Sequence, residues 1–282
     1  MQESYIHLDG EWFFLRHSEI HPSRRTILFV HGLGESSLCF REAFDRLHLL
    51  DYNLVAPDNL GYGRSSVARN GDYSFSAQIA RLANLVSQLG LHRLTLVGHS
   101  LGGNLATYWS KSDSSGVVER LVNVEGSLTP ADATFSKMAV EAYQATDGDF
   151  DKWYSWFRNE FMEKLIFGRY GPDWESCRRY YASLWFCRPE AFCANAREIV
   201  EKSQPVEGTP ACEIGQTYAS LPIPKIYCWG GKHLSEASQR FLNQVGLQNR
   251  TFKAASHWPM IDCPEEFYSV LKAWVAQDVP PL

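Results

Sequence analysis

The most informative stretch of this chain is VGHSLGG at positions 97–103. An apolar, β-prone run at residues 94–97 leads into it, and a segment compatible with a helix follows. Where a strand turns sharply into a helix the two backbones approach closely, so Gly98 and Gly102 suit the positions on either side of Ser100. Such a turn projects the serine hydroxyl outward, next to the free N–H groups at the start of the helix. The pattern predicts an exposed nucleophile, although it also occurs in ordinary loops.

The bulk composition is typical of a soluble globular protein. The chain has 282 residues, 45% of them hydrophobic, and a net charge of −5. Its basic residues are scattered, which argues against nucleic acid or an anionic membrane as a partner. No apolar run is long enough to span a bilayer, and the polar start does not resemble a secretory signal. Seven cysteines without close spacing favour reduced thiols, so we expect a cytoplasmic protein whose oligomeric state stays open.

Apolar runs that suit buried strands alternate along the chain with amphipathic segments that suit helices. Asp9-Gly10 between two β-prone runs predicts a hairpin with a type I′ turn. Alternating strands and helices predict βαβ units, and therefore an α/β fold with a mostly parallel sheet flanked by helices. The predicted strands are 5–8, 11–16, 26–30, 53–57, 94–97, 121–124, 226–230 and 250–254, with helices near 38–48, 75–89 and 264–275.

The alternation stops at residue 127 and returns only after about residue 210. The intervening segment is rich in aromatic residues at helical spacing, such as Trp153 and Phe157. We predict that 127–210 is a helical lid, or cap, inserted into a core domain made of 1–126 and 211–282. Most of the lid aromatics should form its own core. About a third are expected to face the nucleophile and to make the cavity apolar, with few charges.

Four motifs in order along the chain resemble the α/β-hydrolase superfamily, in particular its esterase-like and lipase-like serine hydrolases with a helical lid. They are HGLG at 31–34, DNLGYGRS at 58–65, the serine turn at 97–103, and SHWP at 256–259. The resemblance runs nearly from end to end. It implies the α/β-hydrolase fold, with the site at the carboxyl ends of the strands.

The resemblance also implies a catalytic triad in the chain order serine, acid, histidine. Ser100 would be the nucleophile and His257 the general base. Many members carry the acid after the next-to-last strand, but residues 230–233 read GGKH and offer no carboxylate. Glu125 follows the strand after the nucleophile's helix, the site used by other members, and is therefore the predicted acid. Asp262 is a weaker candidate because it lies only five residues from the histidine.

The family pattern points to the backbone N–H groups of Leu33 and Leu101 as the oxyanion hole. We also assign both residues to substrate binding, since the Leu33 side chain should line the acyl pocket. His99 should point away from Ser100 and be structural, and His233 receives no role. His17 and His21 lie in a strand–turn region, so no metal site and no cofactor are predicted.

Together these features predict a serine hydrolase that cleaves a carboxylic ester or lactone of a small hydrophobic substrate. The reaction would pass through an acyl-enzyme on Ser100. Hydrolysis of a carbon–carbon bond, or acyl transfer to an alcohol, could use the same residues. A non-catalytic ligand receptor on the same fold is the alternative of a different class.

Overall fold

A computed structural model describes residues 1–168 and 174–277 of the chain. Its centre is an eight-stranded sheet in the order β1-β2-β4-β3-β5-β6-β7-β8. The pairs β1–β2 and β2–β4 are antiparallel and the other five are parallel. The strands are β1 (Gln2–Leu8), β2 (Glu11–His17), β3 (Arg25–Val30), β4 (Tyr52–Pro57), β5 (Leu94–His99), β6 (Val118–Val124), β7 (Lys225–Gly230) and β8 (Asn249–Phe252). The predicted α/β-hydrolase architecture is confirmed.

Helices cover the sheet and fill most of the chain between β6 and β7. The helix predicted near 38–48 is a 3₁₀ turn at Ser37–Phe40 followed by the short α1. A 3₁₀ turn at Pro130–Ala133 precedes α4, and α5 runs on into a π-helix at Phe157–Phe167. The α-helices are α1 (Ala43–Arg46), α2 (Phe75–Gln88), α3 (Leu101–Ser112), α4 (Thr134–Ala145), α5 (Phe150–Trp156), α6 (Glu175–Leu184), α7 (Pro189–Lys202), α8 (Glu213–Ser220), α9 (Glu236–Val245), α10 (Pro259–Asp262) and α11 (Pro264–Val275).

Local sequence patterns account for a central strand of the sheet and for the hairpin at its edge. Every residue of β5 is buried, as expected for a central parallel strand covered on both faces. The hairpin between β1 and β2 turns at Asp9 and Gly10, whose φ angles of 53° and 84° fit the predicted type I′ turn.

None of the helices in 1–168 and 174–277 combines the length and apolarity that a bilayer crossing requires.

The helices α4 to α7 lie between β6 and β7 and contain their own aromatic cluster. The Phe157 ring stacks on Trp153 at 5.4 Å and meets Phe192 at 4.7 Å, between ring centroids. Helices α4 and α7 pack against each other. This agrees with the predicted run of helices over 127–210, whereas its role as a lid over a core of 1–126 and 211–282 stays a prediction.

The parallel strands point the same way, so the segments that follow them meet at one edge of the sheet. His31 follows β3, Ser100 follows β5 and Glu125 follows β6. His233 and His257 lie in the loops after β7 and β8. Four of these residues line one cavity at this edge, namely Ser100, Glu125, His233 and His257, whereas His31 is fully buried.

Candidate active site

Ser100 occupies a strained turn between β5 and α3. Its φ of 51° and ψ of −116° lie outside the usual regions for a residue with a side chain. A Cβ at Gly98 would lie 2.2 Å from the Gly102 carbonyl oxygen, and a Cβ at Gly102 would lie 2.0 Å from that of Val30. Only glycine fits at either position, because the opposing atoms are backbone. The turn has the geometry that the sequence predicts for a nucleophile.

Glu125 is held at the end of β6 with its carboxylate almost completely buried. Its side chain is 1% exposed, and Oε1 accepts a 2.6 Å hydrogen bond from the Gly230 N–H. Oε2 lies 3.4 Å from Nδ1 of His257. The structure therefore brings the predicted acid to the predicted base. Asp262, at the end of α10, instead accepts a 2.8 Å hydrogen bond from the Ser256 N–H, which leaves Glu125 as the carboxylate at the His257 ring.

His233 is the residue at this site to which the sequence assigned no role. Its Nδ1 lies 2.8 Å from Oε2 of Glu125 and 3.1 Å from Nδ1 of His257. It occupies the fourth position of the GGKH segment, where the resemblance described above would place a carboxylate. Two imidazoles therefore share one carboxylate oxygen.

The charges at this edge hold Glu125 ionised and His257 neutral. Burial alone would raise the pKa of Glu125, but the His233 and His257 imidazoles outweigh it and lower that pKa to about 2. Burial, followed by the charge of His233, lowers the pKa of His257 to about 3, and the Glu125 carboxylate only partly opposes this shift. A neutral imidazole next to an ionised acid can accept a proton at neutral pH.

Ser100, Glu125 and His257 line one cavity, together with Leu33. No hydrogen bond joins the Ser100 hydroxyl to the His257 ring among the residues that the structure describes. The backbone N–H groups of Leu33 and Leu101 likewise donate to no acceptor within 1–168 and 174–277. Both are thus available as donors, and Leu101 adds the favourable N-terminal end of α3.

A buried network beneath the cavity ties together the loops that carry these groups. The Glu35 carboxylate accepts hydrogen bonds from the Gly32 N–H at 2.7 Å and from the Trp258 indole. It also pairs with Nδ1 of His99 at 2.9 Å, and Nε2 of His99 donates to the His257 carbonyl oxygen at 2.8 Å. His99 thus has the structural role expected of it, but its partner Glu35 was not predicted.

The cavity has a volume of about 260 Å³ and is more polar than the sequence analysis expected. Three carboxylates line it, those of Glu35, Glu125 and Asp132, and none of the described lining residues is Lys or Arg. Of the described aromatics between 143 and 192, Tyr180 lines the cavity. The expectation of an apolar cavity with few charges, built by a third of those aromatics, is therefore wrong. Much of the polar lining, including Asn104, Ser127 and Asp132, comes from residues that precede this aromatic-rich stretch.

Comparisons with known proteins agree with this architecture. An uncharacterized protein of Mycobacterium tuberculosis (strain ATCC 25618 / H37Rv) is 35% identical, over 95% of this chain and 80% of that protein. An esterase from Exiguobacterium antarcticum superposes with a TM-score of 0.73 at 17% identity, covering 98% of this chain and all of that one. A thermophilic esterase from Thermogutta terrifontis gives a TM-score of 0.72 at 17% identity, with 98% of each chain covered. The sequence profile of the alpha/beta hydrolase fold family matches residues 25–205, and the chain belongs to that family.

Proposed function

We propose that this protein is a serine hydrolase that cleaves a carboxylic ester or lactone of a small, uncharged substrate. The observation that carries the proposal is the convergence on one cavity of a serine at a strained strand–helix turn and a histidine beside a buried carboxylate. A solvent-exposed loop serine would need neither the strain nor the buried acid. The geometry fits nucleophilic catalysis by a serine–histidine–acid triad.

The proposed reaction assigns one task to each group. The Ser100 hydroxyl attacks the substrate carbonyl while Nε2 of His257 takes its proton, and the N–H groups of Leu33 and Leu101 stabilise the resulting oxyanion. His257 then protonates the leaving alcohol, which departs and leaves an acyl group on the serine. Water, deprotonated by the same imidazole, attacks the acyl group. The acyl–serine bond then breaks, His257 returns the proton to the Ser100 oxygen, and the carboxylic acid leaves. Throughout, Glu125 holds the ring and stabilises its charged form.

The cavity lining narrows the substrate class. A volume of about 260 Å³ fits a small molecule better than a long-chain lipid. Carboxylates without a lysine or arginine among the described lining residues disfavour an anionic substrate, whereas Leu33 and Ile199 can contact an apolar acyl group. Polar residues in the lining can form hydrogen bonds with further oxygen atoms of the substrate. The substrate that we propose is therefore small, neutral and only partly apolar.

Residues 127–210 contribute to this cavity, which supports the proposal that they act as its lid. Ala131, Phe135, Tyr180 and Ile199 all line it from this segment. Side chains from an insertion that faces the nucleophile exclude water and set the shape of the substrate.

A hydrolysis screen tests the proposal. Short neutral p-nitrophenyl esters and small lactones are offered to the wild type, to Ser100→Ala, and to Ser76→Ala, an exposed serine on α2 that serves as the matched control. We expect turnover by the wild type and the control, and at least about a 10³-fold loss in Ser100→Ala. Comparable turnover by Ser100→Ala would contradict the proposal. Thermal stabilisation by these compounds without any turnover would favour the receptor alternative.

A further inference from the structure

Three ligand atoms from three different strand ends converge beside the cavity. They are Oε2 of Glu125 after β6, Nδ1 of His233 after β7, and Nδ1 of His257 after β8. The oxygen lies 2.8 Å from the first nitrogen and 3.4 Å from the second, and the two nitrogens are 3.1 Å apart. Each atom is of a type that binds transition-metal ions, and all three lie close enough together to share one ion.

Protons alone match this arrangement poorly. In a neutral imidazole each ring nitrogen either carries a proton or offers a lone pair. If both Nδ1 atoms of His233 and His257 carry protons, both can donate to Glu125, but the two nitrogens then face each other at 3.1 Å with no lone pair between them. If one is bare, it gives up its hydrogen bond to Glu125. A single cation bound to all three atoms removes this competition.

The geometry points to a binding site for a divalent transition-metal ion, with Zn²⁺ as the representative ion, formed by Glu125, His233 and His257. In a tetrahedral zinc site with bonds of about 2.0–2.1 Å, neighbouring ligand atoms lie ~3.3 Å apart. The three observed separations, 2.8, 3.1 and 3.4 Å, bracket that value. Two imidazoles and one carboxylate are a donor set that zinc takes in proteins. The sequence analysis predicted no metal site, because these ligands come from segments that are far apart in the chain.

The surroundings favour entry of a cation. The His233 and His257 side chains are 16% and 11% exposed, and both line the cavity. Asp132 adds a further carboxylate to its lining, while none of the described lining residues carries a cationic Lys or Arg side chain. An ion at this position has three protein ligands and keeps a fourth position for water.

Occupancy of the site should inhibit hydrolysis, and this part of the inference rests on the proposed function. A metal on Nδ1 of His257 forces the remaining proton of the neutral ring onto Nε2. That nitrogen then has no lone pair with which to take the proton of Ser100. The ion also occupies the carboxylate oxygen of Glu125 that would stabilise the charged ring. The metal acts here as a reversible inhibitor and not as a cofactor, so chelation should never lower the activity.

Calorimetric titration with Zn²⁺ tests binding apart from catalysis when it is done on Ser100→Ala. We expect one saturable site per chain, and at least about tenfold weaker binding when His233→Gln or Glu125→Gln is added. His21→Gln is the matched control, because that histidine lies on the surface 3.5 Å from a Glu19 carboxylate oxygen. It should leave the affinity unchanged. Equal affinity in all of these proteins, or no saturable binding, would overturn the inference.

The activity of the wild type provides the second readout. Zn²⁺ should inhibit ester hydrolysis over the concentration range in which it binds, EDTA should restore the activity, and Mg²⁺ should have little effect because it prefers oxygen ligands. His233→Gln, compared with its own metal-free rate, should need at least about tenfold more Zn²⁺ for the same inhibition. Binding without inhibition would overturn the inhibitory half of the inference. A wild type that binds Zn²⁺ but hydrolyses nothing would refute the proposed function and leave the site intact.

Discussion

Replacing Glu35 with glutamine tests whether the buried ion pair below the cavity stabilises the loops of the site. The Glu35 carboxylate is 3% exposed and pairs with a fully buried His99. It also accepts hydrogen bonds from the Gly32 N–H and the Trp258 indole. Glutamine keeps the length of the side chain but has no charge and only one acceptor oxygen. The variant therefore removes the ion pair and leaves at least one buried donor without its partner.

The size of the effect follows from the pKa of Glu35. Burial alone would raise this pKa, but the charge and the hydrogen bond of His99 outweigh it and lower the pKa from 4.5 to about 2. Since one pKa unit corresponds to about 1.4 kcal/mol, ionised Glu35 contributes roughly 3 kcal/mol to the free energy of unfolding. The folded-state pKa is the lower one. The contribution is therefore complete above about pH 4.5 and is lost as the pH falls through 2.

Urea denaturation followed by tryptophan fluorescence, at pH 7 and at pH 3, measures this contribution. At pH 7 we expect Glu35→Gln to be less stable than the wild type by about 3 kcal/mol, and at pH 3 by less than about half of that. Glu236→Gln is the control, because its ion pair with Arg240 at 3.4 Å is largely exposed. It should change the stability by less than about 1 kcal/mol at either pH. A Glu35→Gln protein as stable as the wild type at pH 7, or a difference independent of pH, would show that ionised Glu35 does not stabilise the fold.

Three further predictions concern catalysis. Glu125→Gln should lower kcat by roughly 10²–10⁴-fold with an unchanged circular dichroism spectrum, because it neutralises the carboxylate beside His257. Asp262→Asn alters the contact to Ser256 and should lower kcat by less than about tenfold. The reverse order would mean that Asp262 is the acid. Burial and His233 lower the pKa of His257 to about 3. In a profile of kcat/KM from pH 4 to pH 8, the value should therefore stay high below pH 6.5. A loss of activity centred at or above pH 6.5 would contradict this. A neutral ester should have at least about tenfold higher kcat/KM than a half-ester of the same length with a free carboxylate, because carboxylates line the cavity. Equal values for the two esters would contradict the proposed substrate class.

The parts of this protein that the sequence predicts well are those decided by neighbouring residues. Gly98 is required by a backbone contact within a single strand–turn–helix unit, and Asp9-Gly10 by the twist of one hairpin. Gly102 belongs to the same local motif, although the backbone that it meets is that of Val30 on the neighbouring strand. Glu125 follows from a slightly longer argument. In a parallel sheet the strand after the nucleophile's helix ends beside the nucleophile, so a carboxylate there can reach the base.

The parts that were missed depend on the directions of side chains from distant segments. Glu35 and His99 are 64 residues apart in the chain, and His233 meets Glu125 across 108 residues. Neither pair gives a periodic or local signal. The polarity of the cavity was predicted wrongly for a related reason, because aromatic content indicates how a helical segment packs but not which residues face a cavity. The one available signal for His233 was its place in the GGKH segment, where the family resemblance leads one to look for the acid.

Labelling with a fluorophosphonate probe tests whether Ser100 is an activated nucleophile, because the reagent reacts with a serine only when a neighbouring base activates it. Intact-protein mass spectrometry should give one adduct per chain, and peptide mapping should assign it to Ser100. His257→Ala should suppress the labelling without changing the fold. Stoichiometric labelling at another residue, or unchanged labelling of the His257→Ala protein, would contradict the account.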